Sequence, residues 1–168
     1  MTGTALDHLA DDLATLEKQG LLRERGGARV VSEGLELCSN DYLGYRSTGR
    51  LAVHAQRAAA ELPAGAGASR LVTGDHEAHR RLENALAEWL NVEESLVFTS
   101  GYAANVGVIS ALASEGDLIV SDALNHASII DGCRLSRARV VVVPHLATDE
   151  VRRALREQSG RRRWVVTE

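Results

Sequence analysis

Apolar residues in the first half of the chain recur at the spacing of amphipathic helices. Over residues 5–19, leucines return every three or four positions, which predicts a helix that Gly20 ends. The same spacing predicts helices over 49–62 and 75–91, and the run "PAGAGAS" between them predicts a loop. Between the first two helices, "ARVVSEGLELCSNDYLGY" alternates apolar and polar residues about a Glu33-Gly34 turn, which predicts a hairpin followed by a loop.

After Glu94 the pattern changes to that of an α/β sheet. Four short β-rich runs, "SLVF", "DLIVSD", "RVVVVPH" and "RRWVVTE", alternate with helix-like stretches over 103–113, 127–136 and 149–158. This alternation predicts mostly parallel strands with helices packed on the sheet, and ligands bind beyond the carboxyl ends of such strands. We therefore predict an N-terminal arm over 1–45 and an α/β domain over 46–168. The last strand reaches the end of the sequence, so we expect the sheet to be part of a larger fold.

Composition narrows the possible partners. The 19 basic and 23 acidic residues are mixed along the chain and give a net charge of −4, which favours neither nucleic acid nor a membrane. The N-terminus has no apolar core segment of a signal peptide, so we expect a cytoplasmic protein that acts on small molecules. Cys38 and Cys133 lack a second ligand at metal-binding spacing, and we interpret them as buried, reduced thiols.

Two stretches at the predicted ligand edge are candidates for binding chemistry. "FTSGYAAN" places Gly101 where a strand would pass into a helix, and the free amides of a helix N-terminus suit a phosphate. A glycine at such a turn is common, so this motif alone does not decide between phosphate binding and a purely structural turn. His126 in "SDALNHASIIDG" follows the next strand, where an imidazole can stack on an aromatic cofactor ring. We interpret the five other histidines, at positions 8, 54, 76, 79 and 145, as surface or capping residues.

Four motifs together resemble the α-oxoamine synthase family of pyridoxal-phosphate (PLP) enzymes. "SNDYLG", "GAGASRLVTGDHEAHRRLE", "SGYAAN" and "NHASIIDG" occur in the family's order and approximate spacing, over nearly the whole chain. The resemblance implies the N-terminal part of a fold-type I PLP-dependent transferase, with a mostly parallel sheet, helices on both faces and a helix-and-hairpin arm before it. It is strongest to the 8-amino-7-oxononanoate synthases of biotin synthesis. In that group L-alanine condenses with a pimeloyl thioester, carried by coenzyme A or an acyl carrier protein, and carbon dioxide is lost.

The resemblance also implies roles for individual residues. Gly101 and Tyr102 correspond to the residues that hold the cofactor phosphate. His126 corresponds to the histidine that stacks on the pyridine ring and can bond the substrate carboxylate. Arg23 in "LLRERGG" and Asn40 in "SNDYLG" correspond to residues that contact the substrate, although "RER" is also compatible with a solvated charged turn.

One family feature has no counterpart in the sequence. The family binds PLP covalently through a lysine, and the only lysine here is Lys18 in the first predicted helix. We therefore expect the chain to be inactive alone and to act as a homodimer or with a complementing C-terminal chain. The alternatives are another α-oxoamine synthase of the glycine C-acetyltransferase or 5-aminolevulinate synthase type, a non-catalytic partner subunit without the lysine, and an unrelated α/β nucleotide binder. No G-x-G-x-x-G or Walker-type sequence supports the last.

Overall fold

The computed structural model describes residues 6–23, 37, 39–63 and 65–168. The chain divides into two compact units, 1–63 and 64–168. The first contains α1 (His8–Lys18) and α2 (Arg50–Glu61). The second contains α3 (Glu77–Leu90), α4 (Gly101–Leu112), β1 (Leu118–Asp122), α5 (Ala127–Leu135), β2 (Arg139–Val143), α6 (Thr148–Glu157) and β3 (Arg163–Val166). All six helical predictions are confirmed, and Gly20 follows α1 at a φ of 68°, a left-handed conformation that suits glycine.

The sheet has the predicted parallel arrangement. Its order is β2-β1-β3, with Val120 of β1 level with Val141 of β2 and Val165 of β3. Every residue of central β1 is buried, since helices cover both faces. One face packs under α4 and α5, through the buried residues Ala113, Ile119, Ile129 and Cys133. The other face packs under α6, through Leu118, Val120, Val143 and Ala154.

The prediction of a strand at "SLVF" is wrong. Residues 95–98 have no strand partner among the described residues, and side chains bond the backbone of Val97 instead. The Val97 N–H donates to Oε1 of Glu83 at 2.9 Å, and the Val97 carbonyl accepts from Nη1 of Arg70 at 3.4 Å. A strand needs a neighbouring strand for its ladder, and this segment is held by an ion pair between α3 and the loop before it.

The loop "AGAGAS" and the segment that follows it are anchored by that ion pair. Arg70 donates from Nη1 and Nη2 to the two carboxylate oxygens of Glu83, at 2.7 and 3.0 Å, and from Nε to Asp75 at 2.8 Å. The loop prediction is confirmed for residues 65–69. The glycine-rich segment is thus fixed to α3 and to the residues that lead into α4.

Some predictions concern residues outside the description. Most of the predicted hairpin, with Arg25 and Cys38, lies outside the described residues. Cys133 is buried and free, and burial raises the pKa of its thiol. The arm boundary at residue 45 stays a prediction. No helix in the described part of the chain is long and apolar enough to cross a membrane.

Candidate functional site

The N-terminus of α4 has the properties of an anion site. Ser100 precedes the helix, and its Oγ accepts from the Ala103 N–H at 3.1 Å. The Gly101 and Tyr102 N–H groups have no protein partner among the described residues. A Cβ built on Gly101 would meet no atom within 4 Å. The helix therefore presents two free donors and its positive dipole end to open space, as a phosphate requires.

The Tyr102 side chain joins α4 to α5. Its hydroxyl donates to Oδ2 of Asp131 at 2.5 Å. That hydrogen bond, with partial desolvation, raises the pKa of the Tyr102 phenol. The partner of the Tyr102 phenol is thus Asp131 on α5, while the backbone amide of Tyr102 belongs to the open end of α4. The contact of Tyr102 with a cofactor phosphate stays a prediction.

His126 caps the helix next to α4. It is the residue before α5, and its Nδ1 accepts from the Ser128 N–H at 3.1 Å. The Ser128 Oγ lies 2.7 Å from the same nitrogen. The main-chain N–H of His126 donates to Oε2 of Glu168 at 2.9 Å, just after β3. Because His126 is exposed, its Nε2 is available to a ligand.

The turn that carries His126 is anchored by its neighbour Asn125. The Asn125 Nδ2 donates to the Ser121 Oγ of β1 and to the Val166 carbonyl of β3, both at 2.9 Å. Asn125 is only 6% exposed, so its amide is part of the packed end of the sheet. The sequence alone does not single out Asn125, because its partners on β1 and β3 are brought together only by the sheet.

A second anchor at the end of β1 was also missed. The Asp122 carboxylate accepts from the Leu124 N–H at 2.8 Å, from Nδ1 of His145 at 3.0 Å and from the Leu146 N–H at 3.2 Å. The bond from the Leu124 amide, with those from His145 and Leu146, holds the pKa of Asp122 below its usual range. Asp122 therefore ties the turns after β1 and β2 together. His145 is exposed as predicted, but it also has this structural partner.

The other predicted residues have simple surroundings. Arg23 and Asn40 are exposed and belong to the first compact unit, so their substrate contacts stay predictions. Lys18 is the last residue of α1 and is also exposed. The capping role of His79 is confirmed, because its Nδ1 accepts from the His76 N–H at 3.1 Å at the start of α3.

Comparison with known proteins places the chain in a family. Residues 32–168 match the aminotransferase class I and II family. The chain belongs to that family. Its fold is that of the N-terminal portion of a fold-type I PLP transferase. The helix ends at α4 and α5 lie within the matched residues.

Curated relatives of this family member carry a common name. The chain is 47% identical over 167 residues to the 8-amino-7-oxononanoate synthase of Geobacter sulfurreducens, a match that covers 94% of this chain and 43% of that protein. It is 48% identical over 160 residues to the 8-amino-7-oxononanoate synthase of Mycolicibacterium smegmatis, covering 95% and 42%. The chain thus spans less than half the length of these relatives.

Solved structures share the fold. Sphingomonas wittichii serine palmitoyltransferase superposes with a TM-score of 0.77 at 29% identity, over 97% of this chain and 45% of that one. The 8-amino-7-oxononanoate synthase of Francisella tularensis gives a TM-score of 0.61 at 26% identity, over 73% of this chain and 34% of that one. The parallel arrangement described above is therefore that of known family structures.

The chemistry of the described residues fits PLP. The phosphate group would take the free amides of Gly101 and Tyr102, in the space where a Cβ meets nothing. The ring would need a flat partner, and the exposed His126 imidazole stands on the helix packed against α4. Asn105 of α4 and Ser128 of α5 hydrogen-bond at 3.0 Å, which fixes the two helix ends to each other.

Proposed function

We propose that this chain forms the N-terminal, cofactor-holding part of an 8-amino-7-oxononanoate synthase, a PLP-dependent enzyme that joins L-alanine to a pimeloyl thioester with loss of carbon dioxide. The observation that carries the proposal is the 46–48% identity to synthases of that name over nearly the whole chain. Identity to the solved structures does not separate the branches, since it is 29% to the serine palmitoyltransferase and 26% to the 8-amino-7-oxononanoate synthase of Francisella tularensis. The identity to the curated synthases therefore carries the choice of the biotin-pathway branch over the other α-oxoamine synthases.

Each part of the site has a distinct task in this proposal. PLP supplies an electron sink for the α-carbon of the amino acid. The amides at the start of α4 bind the phosphate, which fixes the cofactor's position. His126 packs against the ring and donates from Nε2 to the substrate carboxylate, while Arg23 and Asn40 bind substrate. Asn125 and Asp122 hold the turn that carries His126.

The proposed enzyme needs a lysine from another segment. Lys18 is the only lysine in the sequence and stands exposed at the end of α1. The curated relatives are more than twice as long as their match to this chain. We therefore propose that residues equivalent to the rest of those relatives supply the covalent link to PLP, and that the complete assembly is a cytoplasmic homodimer.

Reconstitution tests the function. This chain is co-expressed with the part of the Geobacter sulfurreducens synthase that follows the matched region, and the product is called the reconstituted enzyme below. We expect it to form 8-amino-7-oxononanoate from L-alanine and pimeloyl-CoA, whereas either part alone forms none. Preference for glycine with acetyl-CoA or succinyl-CoA would instead assign another branch of the family.

A partner subunit without the lysine that binds PLP is the second candidate. The exposed position of Lys18, the only lysine in the sequence, at the end of α1 favours it. Such a subunit would bind a complete synthase and would have no turnover of its own. Co-purification with a complete synthase, together with an inactive reconstituted enzyme, would support this role and contradict the first.

A further inference from the structure

A chain of three polar side chains connects α4 to the His126 ring. The Asn105 Nδ2 donates to the Ser128 Oγ at 3.0 Å, and that Oγ lies 2.7 Å from Nδ1 of His126. Ser128 is 1% exposed, so its hydroxyl is shielded from water and depends on these partners. Neither Asn105 nor Ser128 has a role in the function described above.

Donor and acceptor chemistry fixes the direction of every bond in this chain. A main-chain N–H can only donate, and the Ser128 N–H points at Nδ1 of His126 at 3.1 Å. Nδ1 is therefore an acceptor, and the proton of the neutral ring resides on Nε2. The Ser128 hydroxyl must then donate to Nδ1, since two acceptors at 2.7 Å would repel. Its oxygen is left to accept, so Asn105 presents its NH₂ group rather than its carbonyl.

The close contact of the two helices makes this arrangement possible. A Cβ added to Gly132 of α5 would lie 3.0 Å from the main-chain carbonyl oxygen of Asn105 and 3.1 Å from Cβ of Ile109. Only glycine lets α5 approach α4 this closely at that point. The approach brings the Asn105 amide within hydrogen-bond distance of Ser128.

We propose that Asn105 and Ser128 are positioning residues that hold the His126 ring as an Nε2–H donor toward the anionic group of a bound amino-acid substrate. The identity of that group rests on the proposed function, whereas the tautomer does not. Asn105 sets the direction of the Ser128 hydroxyl, and the hydroxyl together with the backbone amide sets the ring. Asn105, the last residue of "SGYAAN", and Ser128, the last residue of "NHAS", would then act together on the His126 ring.

The isosteric change Asn105→Asp reverses the first bond. A carboxylate can only accept, so it draws the Ser128 hydroxyl proton to itself and turns the hydroxyl oxygen into an acceptor facing Nδ1. We expect the tautomer population of His126 to shift from Nε2–H toward Nδ1–H. Adding Ser128→Ala to Asn105→Asp removes the relay, so the backbone amide alone should restore Nε2–H.

The readout is two-bond ¹H–¹⁵N correlation NMR of the full chain labelled at histidine nitrogen, at a pH where the ring is neutral. His126 signals are assigned by their loss in His126→Gln. Ser110→Ala is the matched control, because its Oγ bonds the Val106 carbonyl of the same helix and lies outside the relay. No cofactor or substrate is needed, so failure here is distinct from failure of the proposed function.

Two results would overturn the proposal. An Nδ1–H ring in the unmodified chain contradicts the donor assignment, and this reading does not depend on any variant's folding. An Asn105→Asp variant that folds, with the tautomer of the unmodified chain, removes Asn105 from the positioning residues. The predicted shift, its reversal in the double variant and an unchanged Ser110→Ala spectrum would establish that Asn105 and Ser128 set the tautomer of His126.

Discussion

The guanidinium of Arg70 forms a bidentate ion pair with the carboxylate of Glu83. Nη1 donates to Oε1 at 2.7 Å and Nη2 to Oε2 at 3.0 Å, so the pair has the two-point geometry of strong charge-assisted contacts. Glu83 also accepts from the Val97 N–H, at 2.9 Å. One carboxylate thereby joins the glycine-rich loop, α3 and the segment that leads to the open end of α4.

This pair predicts a specific sensitivity to acid. The hydrogen bond from Arg70, followed by that from the Val97 amide, lowers the pKa of Glu83 from 4.5 to about 2. A carboxyl with a lowered folded-state pKa contributes stability above its unfolded pKa and loses it as the pH falls through the folded pKa. We expect Glu83→Gln to be less stable at neutral pH and to lose less stability than the unmodified chain between pH 4.5 and pH 2.

Urea unfolding at a series of pH values measures this effect. Glu88→Gln is the matched control, since Glu88 is an exposed residue of α3 with no ion pair among the described residues. An identical pH dependence in Glu83→Gln and the unmodified chain would contradict the role of the pair.

Gly132→Ala tests the contact between α4 and α5. The added Cβ would lie 3.0 Å from the main-chain carbonyl oxygen of Asn105, so the helices must separate. Overpacking of this kind typically costs about 1–3 kcal/mol, partly offset by a gain of up to about 1 kcal/mol in helix propensity. We expect a net loss of about 1 kcal/mol in the free energy of unfolding. Gly101→Ala, where a Cβ meets nothing within 4 Å, is the comparison, and equal stabilities of the two variants would argue against the close approach.

Lys18 should not bind PLP selectively. It is exposed at the end of α1, whereas a lysine that forms a Schiff base is activated by enclosed or charged surroundings. We expect treatment of the chain with PLP and then borohydride, followed by peptide mapping, to show no stoichiometric label on Lys18. In the reconstituted enzyme the label should appear on the complementing part. Selective labelling of Lys18 in either sample would refute the need for a second segment.

His126→Ala should impair the reconstituted enzyme. Loss of an aromatic-type contact is worth on the order of 1 kcal/mol, or about fivefold in an equilibrium, and loss of the cap on α5 adds a small cost in stability. We expect altered cofactor absorbance and lower turnover. His54→Ala, an exposed histidine of α2, is the control. Unchanged absorbance and turnover in His126→Ala would remove this residue from the site.

The sequence predicted local elements better than long-range contacts. Period and turn residues sufficed for the six helices and for the three strands of the sheet, because those signals are local. They misassigned "SLVF", since a strand also requires a partner strand, and here Arg70 and Glu83 bond the backbone of Val97 instead. His126 was identifiable from its place after a strand. Asn125 and the Asp122–His145 pair were not, because their partners are brought together only by the sheet.

The central claim is that the start of α4 holds the cofactor phosphate, and the affinity of Gly101→Val for PLP tests it most directly. The space at Gly101 is open, so the valine leaves the fold intact while its branches occupy the proposed phosphate position. Spectroscopic titration of the reconstituted enzyme should show PLP affinity reduced about tenfold or more, equivalent to about 1.4 kcal/mol. Ala111→Val, an exposed change farther along α4, should leave it unchanged. Equal PLP affinities in Gly101→Val, Ala111→Val and the unmodified protein would contradict the account.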